Sequence, residues 1–174
     1  MTFKQFFPIP VVIAVLAFLL MLVNLGASHC PNYGKYFVIW VAFQAWAMYF
    51  MAGCTLKNGV KVMLGYLGGA LASIAIMELG GQFAKLGLGE MALPVAVLII
   101  VVPVICAERV PMFDFVPAWF VGAGVFFALC KGPETYIDTG IMSLFSCLIG
   151  VIFGIVTVVF RMKYEASLKL KSAE

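Results

Sequence analysis

The sequence predicts an all-α, polytopic membrane protein, and three observations lead to that prediction. Hydrophobic residues make up 64% of the 174 residues and charged residues 11%, whereas soluble domains are about 45–50% apolar and 25% charged. The mean hydropathy is +1.12. The apolar residues form continuous runs instead of the alternating pattern of a transmembrane β-barrel. This composition excludes a soluble enzyme, a disordered chain and a disulfide-rich secreted domain. In such a protein the net charge of +3 does not indicate nucleic-acid binding.

Six apolar segments approach the length of about 20 residues that a membrane-spanning helix needs. The first is uncharged, Gln44 alone interrupts the second, and the third is rich in Gly and Ala. The fourth is short and contains two prolines, the fifth has Asp114 near its start with Pro117 one turn later, and the sixth stops at Arg161. We predict one six-helix transmembrane domain over 1–160 and a basic cytoplasmic tail over 161–174. Its helices are expected at about 6–25, 36–54, 62–79, 91–107, 113–129 and 140–160.

The basic residues predict the orientation of these helices. With six spans both termini lie on one side, which holds eight of the eleven Lys and Arg residues: Lys4, Lys57, Lys61, Arg109, Arg161, Lys163, Lys169 and Lys171. The opposite side holds Lys35, Lys85 and Lys131. Because cytoplasmic loops carry the excess of basic residues, we expect both termini in the cytoplasm.

A short similarity links the ends of two segments. Residues 51–59, at the end of the second segment, and 127–132, at the end of the fifth, each combine small residues with a Cys and a Gly. Three spans per half would give the halves opposite orientations, as in many transporters. Such short matches also arise by chance among apolar helices, so two inverted three-helix repeats are one hypothesis beside an unrepeated bundle.

Small residues four positions apart predict where helices pack closely. Gly65 and Gly69 have this spacing, and so do Gly150 and Gly154, and Gly122 with Ala118. Small residues at this spacing let two helix backbones approach in a membrane. We expect these five glycines to pack helices, and the missing side chains could also leave room for a narrow pore.

Polar residues inside apolar segments are candidates for contact with a solute, because hydrocarbon tolerates polar groups poorly. Gln44 lies among aromatic residues near the centre of the second segment, and its amide has both donors and an acceptor. The alternative is an interhelical hydrogen bond that holds the bundle together. We select Gln44, Tyr49, Asp114 and Trp119 as candidate pore or substrate-binding residues.

The segment around Asp114 has two interpretations. Pro103, Pro111 and Pro117 lie close together there, and proline disrupts helical hydrogen bonding. A broken helix beside Asp114 would be typical of a solute path. The other interpretation, which we favour, is a tight cytoplasmic turn with Pro117 in the first turn of the fifth helix, where proline is well tolerated.

The sequence offers no set of residues for catalysis, a metal or a cofactor. His29 is the single histidine, whereas a structural zinc site needs about four ligands. We see no nucleophile with a nearby base, and we expect no enzyme, no metal site and no cofactor. Cys30 and Cys130 both fall on the predicted external side, so a disulfide between them is conceivable although no spacing requires it.

Short motifs resemble those of a known family. They are Gly53-Cys54-Thr55 with Asn58-Gly59, and Val116-Pro117 followed by Phe120, Gly122 and Ala123. With them the chain resembles the YcdZ-like family of small bacterial inner-membrane proteins, a domain of unknown function, from the first helix to Arg161. The resemblance implies a bacterial inner-membrane location and implies no substrate or site residue.

Two functions fit these observations. The first is a channel or facilitator for a small neutral or weakly charged solute, such as urea, a short amide or a short carboxylate. The second is a non-transporting subunit or scaffold that binds another membrane protein. We expect a homo-oligomer in either case, since so small a bundle buries little surface alone and closed symmetric assemblies are the rule.

Overall fold

Helices make up most of the protein in the computed structural model, which describes residues 2–30 and 34–171. A single-turn helix, α1 (Phe3–Phe6), precedes six longer ones. These are α2 (Pro8–Ser28), α3 (Ile39–Met51), α4 (Leu56–Lys85), α5 (Ala92–Cys106), α6 (Val116–Leu129) and α7 (Tyr136–Lys171). The described residues contain no β-strand, which confirms the all-α prediction for this part of the chain.

Within the part of the chain that the structure describes, four helical segments are long and apolar enough to cross a membrane: Phe3–Ser28, Leu56–Lys85, Gly89–Arg109 and Pro133–Lys169. The two remaining apolar helices are shorter, with 13 residues in α3 and 14 in α6. At 1.5 Å per residue each is about 20 Å long, less than the roughly 30 Å hydrocarbon core of a bilayer. The six predicted spans therefore correspond to four long helical segments and two short helices.

A contact distant in sequence sets the start of α3, and a local turn sets its end. Its predicted segment ran from 36 to 54, but the backbone of Val38 is extended and its N–H donates to Ser146 Oγ at 2.8 Å. At the other end, Gly53 and Cys54 have φ values of +101° and +62°, which no α-helix can contain. The helix is thus confined between an interhelical hydrogen bond and a turn.

Two helices extend beyond their predicted bounds. The third segment was predicted over 62–79, whereas α4 begins at Leu56 and ends at Lys85. Residues 161–171, assigned above to a tail, continue α7 as a helix, where Arg161 Nε donates to Glu165 Oε1 at 2.8 Å. Apolar runs mark only the part of a helix that lies in hydrocarbon, so good helix formers extend it further.

The long helices α4 and α7 form the centre of the bundle. The short helix α6 packs along α4, and the short helix α3 packs along α7. On the outside, α5 packs against α4 and α2 against α7. Only 11% of the most apolar part of each outer segment is buried, so most of the surface of these two segments is free to face lipid.

Candidate functional site

The turn between α3 and α4 is built by the first family-like motif. The positive φ of Gly53 is a conformation that glycine adopts readily. Thr55 is the N-cap of α4, and its Oγ1 accepts from the backbone N–H of Asn58 at 3.1 Å. The Asn58 side chain donates in turn to the carbonyl of Ala52. These residues are therefore explained by the need to reverse the chain between a short and a long helix.

Glycines on both helices bring the backbones of α4 and α6 together. A Cβ on Gly122 would lie 2.5 Å from Tyr66 Cα, and a Cβ on Gly69 would lie 2.5 Å from the backbone N of Ala123. A Cβ on Gly65 would overlap the Ala118 side chain. Because backbone atoms face Gly69 and Gly122, no rearrangement of side chains could make room for a larger residue at these two positions.

The contact between α3 and α7 is arranged differently. A Cβ on Gly150 would overlap the carbonyl oxygen of Ala42, whereas one on Gly154 would meet the Tyr49 ring 2.6 Å away. Each short helix thus packs against the glycine-bearing long helix that lies in the other half of the chain.

The α4–α7 seam, meaning the contact between the two long helices, contains buried polar groups in its middle. Tyr66 and Cys147 belong to one buried cluster, and Ser143 lies one helical turn before Cys147 on α7. Tyr66, Ser143 and Cys147 are each 0% exposed. Neither the Tyr66 hydroxyl nor Ser143 Oγ has a hydrogen-bond partner among the described residues. Such a burial is costly for a hydroxyl, which makes the middle of the seam the candidate functional site.

The two ends of the α4–α7 seam are closed in different ways. Near the end of α4 the Tyr136 hydroxyl donates to Glu78 Oε1 at 2.9 Å. Near the start of α4 a Cβ on Gly59 would lie 3.1 Å from Val151 Cγ1 and 3.4 Å from the Tyr49 ring. A polar bond therefore closes one end of the α4–α7 seam and van der Waals packing closes the other.

A groove of about 450 Å³ lies at the polar end of the α4–α7 seam. Its lining combines a carboxylate, an amide and an ammonium group along one face of α4 with the ring of Tyr136, and the lining residues are Met77, Glu78, Gly81, Gln82, Lys85, Pro133 and Tyr136. Glu78 and Tyr136, which hydrogen-bond to each other, both line this groove.

The four residues selected from the sequence do not come together. Gln44 is exposed on the outer surface of α3, whereas Tyr49 is 2% exposed and packs at the closed start of the α4–α7 seam. Trp119 packs over Gly68, and its Nε1 donates to the carbonyl of Phe113 at 3.1 Å. Of the four, only Tyr49 lies at the seam.

Asp114 lies in a turn before α6, in agreement with the turn that we favoured for this segment. Helix α6 begins at Val116 with Pro117 in its first turn, and Met112 has a φ of +74°. Lys61 Nζ donates to Asp114 Oδ2 at 2.6 Å. This hydrogen bond holds the pKa of the Asp114 carboxyl below its usual range. Asp114 thus ties the start of α6 to α4.

Tyr66, Ser143 and Cys147 are not among the residues selected from the sequence, because amides, charges and neighbouring aromatic residues decided that selection. Ser and Thr hydroxyls are common in membrane helices, where they bond across helices. The position of Tyr66 between Gly65 and Gly68 was the available signal, since a large residue among small ones faces a neighbouring helix.

No candidate for a metal or a disulfide emerges from the described residues. Within residues 2–30 and 34–171, no three His, Cys, Asp or Glu side chains are grouped so that they could hold an ion. Cys30 and Cys130, the pair considered above, are both free.

Comparison with known proteins identifies a family. The family model described as "Protein of unknown function (DUF1097)" matches residues 10–161. No curated protein and no solved structure matches the chain. The matched region begins in α2 and ends in α7, so it includes both short helices and the whole α4–α7 seam. The chain therefore belongs to the DUF1097 family of proteins of unknown function.

Proposed function

We propose that this protein is a membrane facilitator for a small neutral or weakly charged solute, which passes along the α4–α7 seam. The observation that carries the proposal is the pair of buried hydroxyls, Tyr66 and Ser143, that have no partner among the described residues. A hydroxyl both donates and accepts a hydrogen bond. A solute with an amide or carboxyl group would satisfy both hydroxyls when it reaches the middle of the seam.

The arrangement of the helices supports two inverted repeats, α2–α4 and α5–α7. In these repeats α2 corresponds to α5, α3 to α6 and α4 to α7. The contact of α3 with α7 then corresponds to that of α6 with α4, and the contact of α2 with α7 to that of α5 with α4. All four contacts are present. In transporters built from inverted repeats, substrates bind near the midplane where the repeats meet, and short or interrupted helices mark that place. The proposed site lies where the two halves meet.

Six membrane crossings follow if α3 and α6 cross with the help of the segments that flank them. The excess of basic residues at one end then supports cytoplasmic termini. A bacterial inner-membrane location, and identity of this family with the YcdZ-like group, are supported by the motifs at 53–59 and 116–123. The groove beside Glu78 is then the periplasmic entrance.

The interior favours solutes without a full charge. The buried polar residues among those described are all uncharged: Ser73, Thr139, Ser143, Ser146 and Thr157. A charged solute would find no counter-ion there, and an unpaired charge in hydrocarbon is far more costly than a polar group. Urea, short amides and short carboxylic acids in their neutral form fit this environment.

Passage requires the α4–α7 seam to open. Glycine contacts join α4 to α6 and α7 to α3, so each pair moves as a unit, and the two pairs separate at the seam. Breaking the Glu78–Tyr136 hydrogen bond opens one end, and displacement of Tyr49 from Gly59 opens the other. Alternate opening of the two ends is the rocking motion of inverted-repeat transporters.

Stopped-flow light scattering on proteoliposomes tests the proposal, with glycerol, urea, formamide, acetamide and short-chain acids as solutes. We expect the protein to accelerate reswelling for at least one of them. Tyr66→Phe and Ser143→Ala should each lower that permeability about fivefold, since a neutral hydrogen bond contributes about 1 kcal/mol.

Ser73→Ala is the matched control for Ser143→Ala. Ser73 is also a buried hydroxyl, but its Oγ donates to the carbonyl of Gly69 at 2.9 Å, away from the seam. We expect Ser73→Ala to leave permeability unchanged. Reswelling no faster than that of empty liposomes for every solute would contradict the proposal and favour the partner-protein alternative.

A further inference from the structure

The outer surface of α3 carries an exposed stripe that the α4–α7 seam does not explain. Positions 40, 43, 44, 47 and 51 repeat at helical spacing and all are exposed. Trp40 is 41% exposed, Phe43 36% and Met51 65%. The α3 stripe, as we name these five residues, is apolar except for Gln44, which lies at its centre.

Gln44 makes no hydrogen bond to any described residue. It lies near the middle of an apolar helix of 13 residues, where no water satisfies a polar group if the helix is in the bilayer. An amide left unpaired in hydrocarbon is costly, and Asn and Gln side chains in membrane helices bond across helices. With no bond to a described residue, the Gln44 amide is open to a partner on a second molecule.

We propose that the α3 stripe is the interface of a homodimer in which the Gln44 amides of two copies bond to each other. A carboxamide has donors and an acceptor, so two identical amides complement one another without any charged partner. A two-fold axis brings the same residue of each copy together. Ala47, one turn along, is small enough to let the two α3 helices approach closely.

The absence of charged residues from the α3 stripe also favours a second copy over a different protein. None of its five residues is charged, so it contains nothing that selects a partner with basic or acidic groups. A self-complementary polar centre with aromatic residues on one side and Met51 on the other matches a copy of itself. The inference rests on a bilayer location and not on solute transport.

The dissociation constant of the dimer in lipid vesicles tests this inference, measured by energy transfer between labelled full-length chains at a series of protein-to-lipid ratios. Gln44→Leu replaces the amide by an apolar group of similar size. We expect it to raise the dissociation constant about 3- to 30-fold, the range that interhelical hydrogen bonds in membranes span. Gln82→Leu, which removes an exposed amide outside the α3 stripe, should leave the constant unchanged.

Cysteine cross-linking tests the same inference without removing Gln44. Under mild oxidation in membranes, Ala47→Cys should add a cross-linked dimer beyond what the five native cysteines produce. Leu98→Cys, at a 70% exposed position on α5, should add none. A wild-type chain that stays monomeric, an equal effect of Gln44→Leu and Gln82→Leu, or a stoichiometric different protein on the α3 stripe would each overturn the proposal. Because neither measurement involves a solute, their outcome is independent of the permeability assay.

Discussion

The two contacts between a short and a long helix differ in the atoms that limit them. Between α4 and α6, Gly122 and Gly69 face backbone atoms, so the two main chains touch there, although Gly68 faces the Trp119 ring. Between α7 and α3, Gly150 faces a backbone carbonyl but Gly154 faces the Tyr49 ring. The same kind of packing is thus reached by different residues.

The largest effect should come from filling the space between α4 and α6. Gly122→Ala would place a Cβ 2.5 Å from Tyr66 Cα, which is backbone and cannot rotate away. We expect a loss of about 1–3 kcal/mol in the free energy of unfolding, as overpacking typically costs. Unfolding in mixed micelles, followed by circular dichroism, measures this change.

Gly124→Ala is the matched control on the same helix. Its Cβ would meet nothing within 4 Å, and alanine is the better helix former by about 1 kcal/mol. The two substitutions should therefore have opposite signs. If both substitutions lowered the free energy of unfolding by a similar amount, contact with Tyr66 would not be the cause.

A smaller effect is expected at the contact between α7 and α3, because a ring can move where a backbone cannot. Gly154→Ala would place its Cβ 2.6 Å from Tyr49 Cδ1, and we expect a loss near the lower end of the overpacking range, about 1 kcal/mol. In a Tyr49→Leu background the same substitution should cost less. A double-mutant cycle on the free energy of unfolding isolates this coupling.

Gly140→Ala is the control on α7, since its Cβ would meet nothing within 4 Å. The effect of Gly140→Ala on the free energy of unfolding should be the same with Tyr or Leu at position 49. An equal cost of Gly154→Ala with and without the Tyr49 ring would mean that the two contacts are limited by the same atoms, and the distinction between them would fail.

The sequence predicts the fold better than the site, and the reason is the range of the interactions. Continuous apolar runs and spaced glycines are local features, and they predict helices and close packing. The start of α3 depends on Ser146, which is 108 positions away along the chain. The rotation of each helix likewise depends on its neighbours, so the outward direction of Gln44 and the inward direction of Tyr66 cannot be deduced from hydropathy.

The smallest effect we predict concerns the ion pair that ties α6 to α4. The folded pKa of Asp114 is lowered by its hydrogen bond from Lys61 and, further, by the charges of Lys61 and Lys57. A depressed carboxyl pKa gives stability that is fully present above the unfolded value, about 3.9, and is lost as the pH falls through the folded value. The free energies of unfolding of wild type and Asp114→Asn should thus differ near neutral pH and converge below about pH 4.

The ion pair between Lys35, before α3, and Asp138, near the start of α7, provides the comparison. Asp138 accepts from the Tyr36 hydroxyl at 3.1 Å, but its ion pair with Lys35 is longer, at 3.9 Å, with both side chains about half exposed. Exposed ion pairs contribute little, so Asp138→Asn should change the free energy of unfolding near neutral pH less than Asp114→Asn does. Added salt should reduce the effect of Asp114→Asn, because ions screen a pair at the surface. If Asp138→Asn had the larger effect, the short helix α6 would depend on its glycine contacts with α4 and not on the Lys61–Asp114 pair.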